Sequence, residues 1–208
     1  MAERHLYLIR HGHYDHAGSN GKAGGAPKQG AGGPGLSGTG REQARLTAEA
    51  LRDEPINAVH CSTLRRAAET AGILPAPFPN VRVRRARDLR ECLPSVPTAF
   101  VQRKNPELGL VEVQNRLHTD AGFAGEMERR FLEVAGYKPG AVGRGRAQCD
   151  RAFARYFMPV ARSNRHEFLV CHGNILQYLL CCVHTKPGAG APRSALGQEP
   201  CSWYKAGL

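Results

Sequence analysis

The apolar positions of this chain fall in short runs separated by amphipathic stretches. Leu6-Tyr7-Leu8-Ile9 is too short a run for a helix and suits a strand buried on both faces. Ile56 to Cys61 (INAVHC) and Glu167 to Cys171 (EFLVC) read as two further buried strands. Val81 to Arg84 (VRVR) alternates instead, the pattern of a strand near a sheet's edge. Between these runs the spacing becomes helical. Thr39-Gly40-Arg41-Glu42 has the form of a capping box and opens a helix to about Arg52, with Ala44, Leu46, Ala48 and Leu51 at helical spacing. Pro55 closes it. Ser62 or Thr63 is the expected cap of a second helix through Ala71. Gln148 to Ala161 puts Cys149, Phe153 and Phe157 on one face, and Ile175 to Val183 forms an apolar helix.

Three stretches carry weaker signals. Ala17 to Gly35 is a Gly, Ala, Ser, Pro and Lys tract with almost no apolar content, expected to be a flexible loop. From Leu93 to about Arg144, prolines 94, 97, 106 and 139 interrupt the pattern, with one convincing amphipathic piece at Glu126 to Ala135. This segment is expected to be an insertion over the sheet's end. Beyond about residue 184 no strand alternation is evident, which leaves one sheet edge in doubt. The order of strands and helices implies an α/β fold: a three-layer α/β/α sandwich with a mostly parallel sheet and its site at the strands' C-terminal ends.

Composition narrows the setting. The 208 residues suit one domain. No apolar run approaches the ~20 residues of a membrane span. The first strand begins within MAERHLYLIR, leaving no room for a leader, so a cytoplasmic location is expected. Seven scattered cysteines without a C-x-x-C pair read as reduced thiols. Lys and Arg number 29 against 18 Asp and Glu. The arginines do not interleave with aromatics as a nucleic-acid surface would, so no nucleic-acid partner is expected. A basic field that attracts phosphorylated or acidic substrates fits better.

The chemistry concentrates after the first strand. Arg10-His11-Gly12 places a cation, an imidazole and a glycine at a strand's end, which suits an anion site containing a nucleophile. The same stretch, His11-Gly12-His13-Tyr14-Asp15-His16, also fits the metal-ligand run H-x-H-x-D-H of metallo-hydrolases. That reading needs an Asp ligand from a later strand end, and none is supplied. Past the sheet, His13 and His16 are expected to be solvent-exposed.

LIRHG, LSGTGREQA, CSTLRRAAETA, LREC and VCHGN occur in that order, and the set resembles the histidine phosphatase superfamily, also called phosphoglycerate mutase-like. Within it the likeness is nearest to the branch that acts as a serine/threonine protein phosphatase at mitochondria. Tyr14 in RHGHYDHAG, the VHCS strand ending, LRE and FLVCHGNILQYLLC carry that likeness. His13, Tyr14, Asp15 and His16 stand where the mutases carry residues for phosphoglycerate, so mutase activity is not expected.

The resemblance implies a metal-independent phosphatase without a cofactor, acting through a phosphohistidine. It makes His11 the nucleophile and Glu91 the proton donor, with Arg10, Arg66 and His172 binding the phosphoryl oxygens. Arg66 rather than Arg65 is selected because it stands immediately before A-x-E-T, which leaves Arg65 as a partner for Glu69. His60 could orient the pocket or simply pack. The partner would be a phosphorylated protein, or alternatively a small phosphomonoester such as a sugar phosphate. An inactive adaptor is the non-enzymatic option. Mitochondrial association follows only from the resemblance, and the oligomeric state stays open, a homodimer being one option. The whole would be a single domain over residues 1–208, with a loop at 17–35, an insertion at about 93–144, and an atypical tail from about 184.

Overall fold

A computed structural model describes residues 3–15, 32–157, 164–185, 192–195 and 203–207. Its centre is a sheet in the order β3-β2-β4-β1-β6-β5. The strands are β1 (Arg4–Arg10), β2 (Ala58–Ser62), β3 (Arg82–Ala86), β4 (Arg165–Cys171), β5 (Pro192–Ala195) and β6 (Trp203–Gly207). The first four run parallel, and β6 and β5 continue the sheet antiparallel from β1.

The period-2 alternation of the apolar runs divides the core into two layers. Leu6 and Leu8 of β1, with Leu169 and Cys171 of β4, face helices α6 (Ala141–Tyr156) and α7 (Gly173–Thr185). Tyr7, Ile9, Val59, Cys61, Phe168 and Val170 face the other way, against α1 (Gly38–Ala50) and α2 (Arg65–Ile73). Helices therefore cover both sheet faces, and the three-layer sandwich is as the pattern implied. The expected strand at VRVR is shifted by one residue at its start: β3 runs from Arg82 to Ala86, leaving Val81 outside, and it lies at one edge of the sheet.

The tail expectation is overturned. Residues 192–195 and 203–207 are two strands, and β6 pairs with β1 from His5↔Gly207 to Ile9↔Trp203. The sequence WYKAG alternates too briefly to be read alone, and its pairing partner lies almost 200 residues away. The weak middle segment is also more regular than expected: it forms α3 (Thr98–Lys104), α4 (Leu110–Thr119) and α5 (Ala121–Ala135). Phe100, Val101, Val113, Phe123 and Met127 give these helices a small core of their own. Pro97 is the N-cap of α3, so that proline starts a helix rather than preventing one.

Three helices start at residues other than the pattern implied. The cap of α1 is Ser37, whose Oγ accepts from the Gly40 amide at 3.1 Å, so Thr39 lies inside the helix. The cap of α2 is Leu64, without a side-chain bond, because Ser62 is engaged elsewhere. Helix α6 begins at Ala141, seven residues before Gln148. Gly145 does not break it; a Cβ there would lie 2.2 Å from the Leu93 carbonyl oxygen, so the glycine admits a close helix–loop contact. Most of the glycine-rich tract, at 16–31, lies outside the described residues.

Candidate active site

Two parallel strands end in register and each delivers a histidine. Arg10 of β1 sits opposite Cys171 of β4, and the next residues are His11 and His172. The His11 amide donates to the Cys171 carbonyl at 3.0 Å, so the ladder holds this backbone one residue beyond the strand. The two rings stand 5.0 Å apart, centre to centre, and both are buried. Parallel strands bring their C-terminal ends together, and side chains at those ends share one mouth.

The His11 ring is fixed through both nitrogens. Nδ1 lies 2.8 Å from the Gly12 carbonyl oxygen, which assigns the proton to Nδ1 as its donor. Nε2 is then the lone-pair nitrogen, and Arg66 Nε donates to it at 3.0 Å. The guanidinium of Arg66 also lies over the Tyr14 ring, 4.7 Å from its centre. Tyr14 meets His11 edge-on with centres 5.3 Å apart. Thr70 joins the two elements: its Oγ1 accepts from the Gly12 amide at 3.1 Å and donates to the Arg66 carbonyl at 2.9 Å.

Glycine is required where this turn meets α1. A Cβ on Gly12 would lie 2.4 Å from the Gly40 oxygen, and one on Gly40 would lie 2.0 Å from the His13 oxygen. Close backbone approach thus replaces side-chain packing at the base of the pocket.

Glu91 follows the 3₁₀ turn Arg87–Leu89 that ends β3. Its Oε2 is 3.9 Å from Arg66 Nη2 and 3.7 Å from His172 Nδ1. About a third of its side chain, 34 %, stays accessible, while Oε2 lies between Arg66 and His172. Burial raises its pKa to about 7, against the opposing pull of Arg66 and Arg10 and of the Asn174 and Cys92 amides. A carboxyl that titrates near neutrality beside two cations is poised to exchange a proton.

His172 is neutral in this setting. Burial, followed by Arg66, His11 and Arg10, lowers its pKa to about 2. Its Nε2 bonds Ser62 Oγ at 2.8 Å, and Nδ1 faces Glu91 without a hydrogen-bond partner. Ser62 Oγ in turn accepts from the Leu64 amide at 3.1 Å. Sequence reasoning missed Ser62, read as a possible helix cap, and Thr70, which lies within the helix expected through Ala71. No local signal marks either, because each acts on a residue more than fifty positions away.

The structure gathers His11, Arg66, Glu91 and His172 at one mouth, with Arg10 at the end of β1 beside Gly173. Other candidates lie apart. Arg65 is exposed and pairs with Glu69 at 2.7 Å. His60 belongs to a buried cluster in which Arg4 Nε reaches Glu167 at 2.7 Å and His60 Nε2 lies 3.4 Å from the same carboxylate. It therefore packs beneath α6 and does not orient the pocket. Asp88 bonds Arg151 at 3.3 Å. His13 is exposed, as expected, yet its Nδ1 meets Ser37 Oγ at 2.8 Å.

The described part of the metal-ligand run is engaged elsewhere. His11 Nε2 faces a guanidinium, and His13 Nδ1 meets Ser37 Oγ. Among the described residues no group of three His, Cys, Asp or Glu could hold a metal ion; His16 lies outside them.

Residues 6–96, a little under half of the chain, match the model of the histidine phosphatase superfamily (branch 1). Curated relatives of the chain include the mitochondrial serine/threonine-protein phosphatase PGAM5 of Xenopus tropicalis, 28% identical over 182 residues, covering 86% of this chain and 51% of that protein. The Caenorhabditis elegans counterpart is 25% identical over 207 residues, covering 97% and 58%. The chain thus spans little more than half the length of these relatives. A mycobacterial glucosyl-3-phosphoglycerate phosphatase superposes with TM-score 0.54 at 25% identity, covering 99% of this chain and 90% of that one. Phosphoglycerate mutase of Bacillus anthracis superposes with TM-score 0.61 at 17% identity, covering 100% and 88%. The fold is phosphoglycerate mutase-like.

Proposed function

We propose that the chain is a phosphatase that hydrolyses phosphomonoesters through a phosphohistidine on His11, with serine or threonine phosphoproteins as substrates. The observation that carries this reading is the state of His11: a buried neutral imidazole whose lone pair on Nε2 is aimed at a guanidinium. Nε2 attacks phosphorus in line and the bond to the leaving oxygen breaks. Arg10, Arg66 and His172 hold the three equatorial oxygens, since this chemistry depends on positioning and dispersed positive charge. Arrival of the dianion favours protonation of His172. Glu91, protonated near neutral pH, gives its proton to the leaving oxygen. As carboxylate it then takes a proton from the water that attacks phosphohistidine, which releases phosphate and restores both residues.

The names of the curated relatives support a phosphoprotein substrate. The structural likeness to a sugar-phosphoglycerate phosphatase supports a small-metabolite substrate as the second reading. The mitochondrial names of the relatives support an association with that organelle. Among the described residues no helix is long and apolar enough to cross a membrane. The completeness of the constellation argues against an inactive adaptor, and residues 1–208 are read as one catalytic domain.

Turnover of phosphoserine, phosphothreonine and phosphotyrosine peptides beside a sugar-phosphate panel tests the reading. Phosphopeptides should be preferred, EDTA should leave the rate unchanged, and acid-labile phosphate should be trapped on the protein. His11→Ala should abolish turnover and the trapped phosphate while the far-UV spectrum is kept. Full activity in His11→Ala, or no turnover of any phosphomonoester, overturns it.

A further inference from the structure

Strand β3 pairs only with β2, from Ala58↔Arg82 to Ser62↔Ala86, and among the described residues nothing pairs with its other side. Arg82, Val83, Arg84 and Arg85 are all exposed; only Ala86 is buried. Arg87 and Arg90 follow, also exposed. The one acid between Arg82 and Arg90 is Asp88, which is engaged with Arg151. No carboxylate among the described residues forms an ion pair with Arg82, Arg84, Arg85, Arg87 or Arg90. Charged side chains on a sheet edge discourage edge-to-edge aggregation. A run of guanidiniums also offers paired donors that match carboxylates.

The register fixes how these side chains are presented. Arg84 lies opposite His60, on the α6 side of the sheet, and Arg82 shares that side. Arg85 lies opposite Cys61, on the α2 side. There it lines a cleft of about 470 Å³ with Gly32, Thr63, Arg65, Ala68 and Glu69. None of His11, Arg66, Glu91 or His172 lines that cleft, so it adjoins the phosphate pocket without being part of it.

Position ties this edge to the catalytic mouth. Ala86 is opposite Ser62, whose Oγ touches His172. The end of β3 is therefore one strand spacing, about 4.8 Å, from the strand that enters the pocket. At about 3.3 Å per residue, β3 is about 16 Å long. A chain laid along its free side lies four strand spacings, about 19 Å, from β1 and His11, so up to about five residues sit beside the arginines and about six further extended residues span to the pocket.

We infer that the free edge of β3 is the docking strand for an acidic, extended segment flanking the phosphoresidue of a phosphoprotein substrate. The segment adds to the sheet through backbone hydrogen bonds, and its carboxylates pair with Arg82, Arg84 and Arg85. This rests on the phosphoprotein reading above. A second copy of the chain is a poor occupant, because it would set arginine against arginine across the new pair.

The test combines binding and turnover on the full chain. The probes are an extended phosphoserine peptide flanked by Asp and Glu, the same peptide with Asn and Gln flanks, and its unphosphorylated acidic form. Wild-type protein should prefer the acidic phosphopeptide by about 10-fold or more in kcat/KM, summing several exposed ion pairs. The triple variant Arg82→Gln, Arg84→Gln, Arg85→Gln should lose that preference through KM, with turnover of free phosphoserine unchanged. Methylating alternate backbone amides of the acidic flank should weaken its binding for one of the two alternate sets only. Fluorescence anisotropy of the unphosphorylated acidic peptide reads docking without chemistry, so docking and catalysis can fail separately. An acidic preference that survives the triple variant overturns the docking strand. So does sedimentation showing a wild-type dimer that the triple variant dissolves, with no peptide bound.

Discussion

Arg66 Nε lies 3.0 Å from His11 Nε2, so a guanidinium rests on the lone pair proposed as the nucleophile. The contact keeps the imidazole neutral before substrate arrives, since protonating Nε2 would set cation against cation. On the proposed mechanism, the oxygens of an entering phosphate take over the guanidinium and release the lone pair toward phosphorus. Arg66→Lys keeps the charge but loses the planar fork. It should lower kcat on the order of 10²–10³-fold. Single-turnover measurement of phosphoprotein formation checks this, and a loss confined to KM would reassign Arg66 to binding alone.

Glu91 sets a pH dependence with a definite sign. Its pKa is raised from 4.5 to about 7, so the acid form needed for leaving-group protonation is lost as pH rises through about 7. For phosphoserine, kcat/KM should fall above that pH, and Glu91→Gln should remove the limb. The same shift acts on folding. Between about pH 4.5 and 7 the folded state holds more protons than the unfolded one, so Glu91 makes stability decline as pH rises across that window. Glu91→Gln should flatten this slope in denaturant titrations. The variant should also spare aryl phosphates, whose leaving groups depart without a proton, relative to phosphoserine in burst-phase rates.

Ser62 is a positioning residue. Its Oγ joins the Leu64 amide to His172 Nε2, fixing the ring that faces Glu91. Ser62→Ala should lower kcat by about 10–100-fold through misplacement of His172. Ser62→Thr, which keeps the hydroxyl, should recover most of the rate. Equal rates for the alanine and threonine variants would show that the bond has no catalytic consequence.

Glu167 concerns stability rather than turnover. Its side chain is 1 % exposed, between Arg4, Arg165 and His60. Burial alone would raise its pKa, but His60 and Arg4 more than offset that and lower it to about 2. A depressed carboxyl stabilises the fold above its unfolded pKa, and that contribution is lost as pH falls from about 4.5 through 2. Glu167→Gln should cost about 3–5 kcal/mol at neutral pH, by leaving buried cations uncompensated. Its stability should then change less than wild type between pH 5 and 2, as urea titrations would report.

The sequence by itself determined the elements that carry a local period. LYLI, INAVHC and EFLVC are apolar because both sheet faces are covered, and that alone implied a parallel, helix-covered sheet. It also placed Arg10, His11 and His172 at strand ends, since each polar residue directly follows an apolar run. What only the tertiary structure decided depends on partners distant in the chain. WYKAG becomes a strand because β1 offers it an edge, and Ser62 leaves its cap because His172 stands opposite. Glu91 is an unremarkable acid in LREC until the turn after β3 brings it beside Arg66 and His172. Its burial there, and the proton it can give, arise from a neighbourhood assembled from three separate strand ends.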